Sequence, residues 1–336
     1  MKLPSEEQEN IYTQDWLPLQ ESFKRIMANK AYADELTNAF WFYLRKDGLA
    51  VNQKEVYKNI KKHIDSSKEG VKYELQKLIQ FANYYQRLNF ETEEPEPKLK
   101  NSFERLRRLD FSTCHVFLLN IYHDYEEKRI TLEKFVEILR YLESYFVRRL
   151  FAGISPKILG TVFNNLYGEV EKENPDDLVD GLRKVLKSYD KTKVWPDDET
   201  FRQGIINDSI YSKNLSDRTK LILEILEASL TKEKVVFDNL SVEHVMPQTL
   251  NKEWKVVLGG NHASIHKKWL HALGNLTLTG YNPELSNRSF EEKLKHFRDS
   301  NITLNKYFLK VDVWNEEAIL TRANSLTDIA IKVWPR

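Results

Sequence analysis

The chain has 336 residues, 41% hydrophobic and 30% charged, with a formal net charge of +1, which is enough apolar material for two cores of ordinary size. Its single cysteine, Cys114, excludes an internal disulfide framework and a cysteine-built zinc ribbon, and a reducing cytoplasm is the expected setting. No apolar run approaches the roughly 20 residues that cross a bilayer, and the opening MKLPSEEQEN is too polar for a secretory signal, so no membrane partner is expected.

From the N-terminus, apolar positions recurring at gaps of three and four residues predict helices over about 19–44, 52–64, 73–88 and 102–125. The stretch ETEEPEPKLK, residues 91–100, sets two prolines among glutamates and reads as an exposed loop and a hinge. Cys114 and His115 are neighbours that diverge by about 100° on a helix, so they read as a buried thiol and its neighbour rather than a nucleophile and its base. Leu132, Phe135, Val136, Ile138, Leu139, Leu142, Tyr145 and Phe146 trace the clearest helical face. The Arg148–Arg149 pair that follows either grips phosphate or, as the commoner case, forms a solvated helix edge or pairs with nearby acids. Ser155–Pro156 and Asn174–Pro175 mark further helix starts, because the first residue can cap an orphan amide and proline at the first helical position loses no hydrogen bond. A last stripe covers 218–230. These elements predict a mainly α protein, with residues 1–230 an all-helical scaffold or partner-binding region and 231–336 a smaller α+β domain.

The texture changes near Val235. VVFDNLSVEHVMP and LGNLTLT are short β-branched or alternating runs, and FEEKLKHFRDS has a helical period, so the order is strand, excursion, strand, helix. From Lys234 on there are 14 Lys and Arg against 11 Asp and Glu, a net of +3 that leaves −2 for the rest, and five of the eight histidines fall there. An imidazole at the end of one strand, with amide and carboxylate oxygens from the next strand and helix, can surround one divalent ion bound to phosphate while the imidazole takes a proton from water. Glu243 and His244 are adjacent and would point to opposite faces of a regular strand, so both serve one site only if the strand ends there, as Pro247 suggests. His244 alone reads as a structural histidine, Asn282 before Pro283 as a turn cap, and Lys293 as a solvated helix residue. His262 and His266, four apart on a helix, offer a zinc idea with His271, against a surface helix docking near DNA.

The segments EHVMPQTL, LGNLTLTGYNPELSNRSFEEK and WNEEAILTRANSLTDIAIKVW, in that order, resemble the C-terminal nuclease domain of the GmrSD-type, modification-dependent restriction endonucleases, a branch of the HNH or His-Me finger nucleases. The likeness spans about 235–334. The helical body, YLESYFVRRLFAGISPKILGTVFNNL above all, is similar to the helical region preceding that domain. The resemblance implies an HNH, ββα-metal domain over 231–336 and a metal-dependent DNA endonuclease module of an antiphage restriction system. By it, His244 would be the general base and Glu243 a metal ligand or a support of the metal's waters. Asn282 would be the second protein ligand, a role for which Asn287 competes. Asn275 and Lys293 complete the catalytic group, Asn275 by holding the loop that bears His244 and Lys293 by contacting phosphate. Hard oxygen donors suit Mg²⁺ or Mn²⁺. The implied partners are DNA, of the modified phage kind, and a nucleotide-binding ParB-like domain or subunit; the chain carries no Gly-x-x-x-x-Gly-Lys loop. Two alternatives stand beside this reading. One is a catalytically degenerate helical scaffold that binds DNA or a partner, and the other an RNase or toxin nuclease with the same site.

Overall fold

A computed structural model describes residues 4–27, 31–91, 93–233 and 235–336. The chain forms two compact units. The first holds residues 1–107, 111–140 and 156–193, and the second 108–110, 141–155 and 194–336. Among the described residues no helix is long and apolar enough to cross a membrane.

The first unit is built around the helix His115–Glu126, where Val116, Phe117, Leu118, Leu119, Ile121 and Tyr122 are all buried. A helix apolar all round belongs in the middle, and the helices Tyr32–Arg45, Val71–Asn89 and Leu159–Glu173 pack about it. Cys114 is enclosed just before it; its thiol donates to the Phe111 carbonyl at 3.0 Å, and burial pushes its pKa up, so it is not a nucleophile. The expected stripe over 19–44 comprises two helices, Leu17–Ile26 and Tyr32–Arg45, with residues 28–30 outside the described residues. The expected loop 91–100 is shorter and less exposed than its composition suggests. A helix begins at Pro97, where proline's missing N–H costs nothing, and Glu94 is buried, accepting from the Tyr122 hydroxyl at 2.6 Å; Thr92 lies outside the described residues. Asn174–Pro175, by contrast, does not start a helix. The start is at Leu178, capped by the Asp177 carboxylate at 3.2 Å from the Val179 amide, while Asn174 accepts from the Asp177 amide.

The second unit owes its cohesion to aromatic residues. Trp195, Trp254, Trp269, Trp314 and Trp334 are all fully buried, and Trp254, Trp269 and Trp314 share one core with Phe290, Phe297 and Phe308. Arg148 and Arg149 are inside this unit, neither solvated nor placed to grip phosphate. Arg148 donates to the carbonyls of Trp334 (2.7 Å) and Pro196 (3.1 Å) and to Asp198 (2.7 Å), and Arg149 to those of Val194 and Ser155. With the Trp334 indole N–H on Glu143 at 2.8 Å and the Ser144 hydroxyl on the Pro335 carbonyl at 2.7 Å, they tie 141–155 to the far end of the chain. The helix Ser216–Leu230 packs on both strands of the unit and on the helix Glu316–Val333. The compact unit therefore reaches well upstream of the boundary expected at 230/231.

Among the described residues there are two strands, β1 (Ser241–His244) and β2 (Leu276–Thr279). They are antiparallel, with Ser241 opposite Thr279 and His244 opposite Leu276. Residues 235–240, read from sequence as part of the first strand, lie outside it. Between the strands run the helices Lys252–Leu258, capped by the Asn251 side chain, and His262–Trp269. A short helix, Asn282–Leu285, follows β2, and then the helix Phe290–Asp299 opens on a reciprocal cap between Ser289 and Glu292. The turn before β2 needs glycine at position 274, because a Cβ there would stand 2.5 Å from the Ile319 carbonyl oxygen.

Candidate functional site

The site is organised by the way β1 ends. The ladder stops at His244, and from Val245 the chain is held by Asn275 instead of a strand partner. The Val245 amide donates to the Asn275 carbonyl at 2.9 Å. The Asn275 side chain accepts from the Met246 amide (2.7 Å) and the Trp314 indole (3.0 Å), and donates to the carbonyls of Met246 (2.9 Å) and Leu270 (3.0 Å). Its amide is thus saturated and wholly buried. Arg322, buried in the helix Glu316–Val333, donates to the Gly274 and Leu276 carbonyls on either side. Glu243 and His244 are the last two paired residues of β1, and both line one cleft at its end.

That cleft has a volume of about 530 Å³ and is lined by Tyr211, Val242, Glu243, His244, Pro247, Gln248, Thr249, Asn282, Ser286 and Asn287. Asn282 donates through Nδ2 to Ser241 Oγ (3.0 Å) and to the Val242 carbonyl (3.1 Å), which fixes its amide plane and leaves Oδ1 as its acceptor. Asn287 is exposed, and its backbone carbonyl accepts from the Asn251 amide at 2.9 Å. Ser286, just before it, has φ of 35°, the left-handed side that a serine adopts only at a cost. Of the six residues singled out from sequence, Glu243, His244, Asn282 and Asn287 meet at the cleft, and Asn275 and Lys293 stand behind it.

Lys293 requires a correction. Its side chain is fully enclosed, so it neither contacts phosphate from the cleft nor lies on a solvated helix face. The helix Phe290–Asp299 instead aims Nζ at the back of β1, where it donates to Glu243 Oε1 at 2.5 Å and to the His244 carbonyl at 2.9 Å. Burial pushes the Glu243 carboxyl up and the Lys293 ammonium down, each toward neutrality, and their contact opposes both shifts. A buried cation paired with a carboxylate and a carbonyl is a positioning device for that carboxylate.

His244 is 4% exposed, and burial, followed by the neighbouring His271, Lys293 and His266, holds its pKa down at about 3. Its imidazole is therefore neutral at ordinary pH, the form that can accept a proton. Its Nε2 lies 3.1 Å from His271 Nδ1. Tyr211 stands edge-on to the His244 ring (4.7 Å between centroids, 89°) and stacks on His271 (5.4 Å, 28°). Backbone bonding secures that stack, since the Ile210 amide donates to the His271 carbonyl at 3.0 Å beside the bridge between Ser209 and Ala272. Sequence reasoning saw His271 only as a zinc candidate and had no signal for Tyr211, which lies 33 residues upstream of His244. His262, His266 and His271 do not gather round one point. His266 Nε2 is 2.9 Å from the Pro247 carbonyl oxygen and His271 faces His244, and among the described residues no three His, Cys, Asp or Glu side chains form a metal-sized group.

As a donor set for a cation, the cleft offers one carboxylate, whose Oε2 is not the oxygen held by Lys293, and the amide oxygens of Asn282 and Asn287. Few, hard, oxygen-only donors match an ion that keeps most of its waters, such as Mg²⁺, better than zinc.

Residues 195–329 match the family described as GmrSD restriction endonucleases, C-terminal domain. No curated protein matches the chain.

Proposed function

We propose that the cleft at the end of β1 is an HNH-type active site that hydrolyses DNA phosphodiesters, a reading supported by the match of residues 195–329 to the GmrSD restriction endonuclease C-terminal domain. The observation that carries the reading is the convergence of Glu243 and His244 from one stretch of the chain and Asn282 and Asn287 from another on one cleft. β1, β2 and the helix Phe290–Asp299 would be the ββα unit, joined through Lys293. His244 accepts the proton of the attacking water. Its low basicity is offset by substrate, because an anionic phosphodiester beside the ring favours the imidazolium. Glu243 and Asn282 would hold Mg²⁺ or Mn²⁺; Asn282 is preferred over Asn287 because two hydrogen bonds already orient its amide. Such an ion supplies charge stabilisation at the phosphate. Lys293 anchors the Glu243 carboxylate from behind through Oε1, and Asn275 holds the chain just after His244. Modified phage DNA as the substrate, an antiphage role and cytoplasmic action with a nucleotide-binding ParB-like partner follow from the same family reading.

One observation favours the second reading, a degenerate scaffold. Among the described residues the cleft lining carries no lysine or arginine, and phosphate affinity needs cations nearby. Supercoiled plasmid incubated with the chain in Mg²⁺, Mn²⁺ or EDTA separates the two. Nicking that needs the metal and is weakened by Asn282→Ala supports the nuclease; no nicking by folded protein, with or without a nucleotide-binding partner, supports the scaffold.

A further inference from the structure

We infer that His271 is the positioning residue that sets the tautomer of His244, leaving Nδ1 as the nitrogen that takes the proton from water. The inference rests on the nuclease reading of the cleft and adds to it a residue and an atom. The two rings share one short contact, His244 Nε2 to His271 Nδ1 at 3.1 Å, and between neutral imidazoles such a contact holds a single hydrogen. His271 is only partly buried and does not line the cleft, so water can satisfy its own Nε2–H. With the proton there, its Nδ1 is an acceptor, and His244 must be the donor through Nε2–H. The lone pair of His244 then sits on Nδ1, the ring nitrogen not committed to His271, in a residue that lines the cleft. When water gives up its proton to Nδ1, the Nε2–H stays on His244, and the imidazolium so formed keeps a hydrogen bond to His271. Tyr211 confines both rings, edge-on to one and stacked on the other, and the backbone bonds of 209–211 to 271–272 prevent His271 from swinging away. The arrangement does for this base what a second residue does for any oriented imidazole: it fixes which nitrogen carries the proton.

The test uses the full chain labelled with ¹⁵N at histidine, at about pH 8, where an unperturbed imidazole (pKa about 6.5) is neutral. Long-range ¹H–¹⁵N correlation reads the tautomer of His244, and single-turnover plasmid nicking is followed in parallel for wild type, His271→Leu and His271→Asn. Leucine removes the acceptor while keeping bulk, and asparagine places an amide oxygen near the Nδ1 position. We expect His244 to be protonated at Nε2 in wild type and His271→Asn, and mixed or reversed in His271→Leu. The rate constant at saturating DNA should fall by roughly 10- to 100-fold in His271→Leu, with KM little changed and substantial recovery in His271→Asn. A wild-type His244 protonated at Nδ1, or a tautomer and rate both indifferent to His271→Leu, overturns the inference. The tautomer is read without turnover, so a wild type that cuts no DNA refutes the nuclease reading while the spectrum still decides the role of His271.

Discussion

Two histidines, one in each unit, show what separates a buried residue from a site. Burial holds both His115 and His244 at a pKa of about 3. His115 lies among the rings of Phe42 and Tyr85 at the start of the central helix of its unit, with no hydrogen-bond partner for Nδ1 among the described residues. His244 is nearly as enclosed, yet it lines a cleft, pairs with His271, and stands beside a carboxylate held by its own lysine. A depressed imidazole is thus the ordinary result of desolvation. Chemistry requires in addition an opening and a set of oriented neighbours, and only the second unit provides these for its histidine.

The sharpest way to break this comparison is to remove each ring in turn. His244→Ala should lower plasmid nicking per folded molecule by roughly 10²- to 10⁴-fold, the usual worth of a positioned base. His115→Ala should cost roughly 2–5 kcal/mol of stability through the cavity it leaves, read by urea denaturation, while nicking per folded molecule is retained. Lys293→Met comes next. It strands a buried Glu243 and should cost roughly 3–5 kcal/mol, as broken buried pairs do; a denaturation midpoint equal to wild type would show that the pair does not support β1. Asn275→Ala removes four side-chain hydrogen bonds and leaves the Met246 backbone and the Trp314 indole without partners. A loss of roughly 1–3 kcal/mol is expected, with the nicking rate falling because the loop after His244 is no longer held.

The smallest effect is in pH. The folded-state pKa of His115 lies below its unfolded value of 6.5, so as pH falls below that value the unfolded chain takes up a proton that the folded chain refuses. Stability is therefore complete above about pH 6.5 and declines toward acid by up to about 1.4 kcal/mol per pH unit for this group. Urea midpoints between about pH 7 and 5 should fall less steeply in His115→Leu than in wild type. Equal slopes would mean that His115 is not the residue that resists protonation.

Local patterns carried much of this into the sequence. The stripe from Leu132 to Phe146 shows its helix because period and burial are properties of one segment, and the structure continues that helix to Phe151. The order of strand, excursion, strand and helix was legible for the same reason, whereas Glu243, His244, Asn282 and Asn287 were grouped by the family resemblance and not by any local pattern. Pairings across long separations were hidden. Lys293 reads as a surface lysine until the helix that bears it is seen to aim it 50 residues back at Glu243. Arg148 and Arg149 look solvated because the carbonyls that bury them come from 194–196, Ser155 and Trp334. The boundary at 230/231 followed a change of texture, whereas cohesion follows aromatic residues and buried arginines that recruit 141–155 and 194–230 to the second unit. Glu94 sits in an acidic run, and its buried carboxylate accepts from a tyrosine hydroxyl of another helix and from the Glu96 amide.

The central claim, that the cleft at the end of β1 performs hydrolysis through His244, is met most directly by one comparison. Wild type and His244→Ala, at equal concentrations of folded protein, are incubated with supercoiled plasmid and Mn²⁺ under single-turnover conditions, and conversion to nicked and linear forms is followed. The account predicts conversion by wild type and its near-complete loss in the variant. Equal conversion by both proteins would contradict it and return His244 to the company of His115.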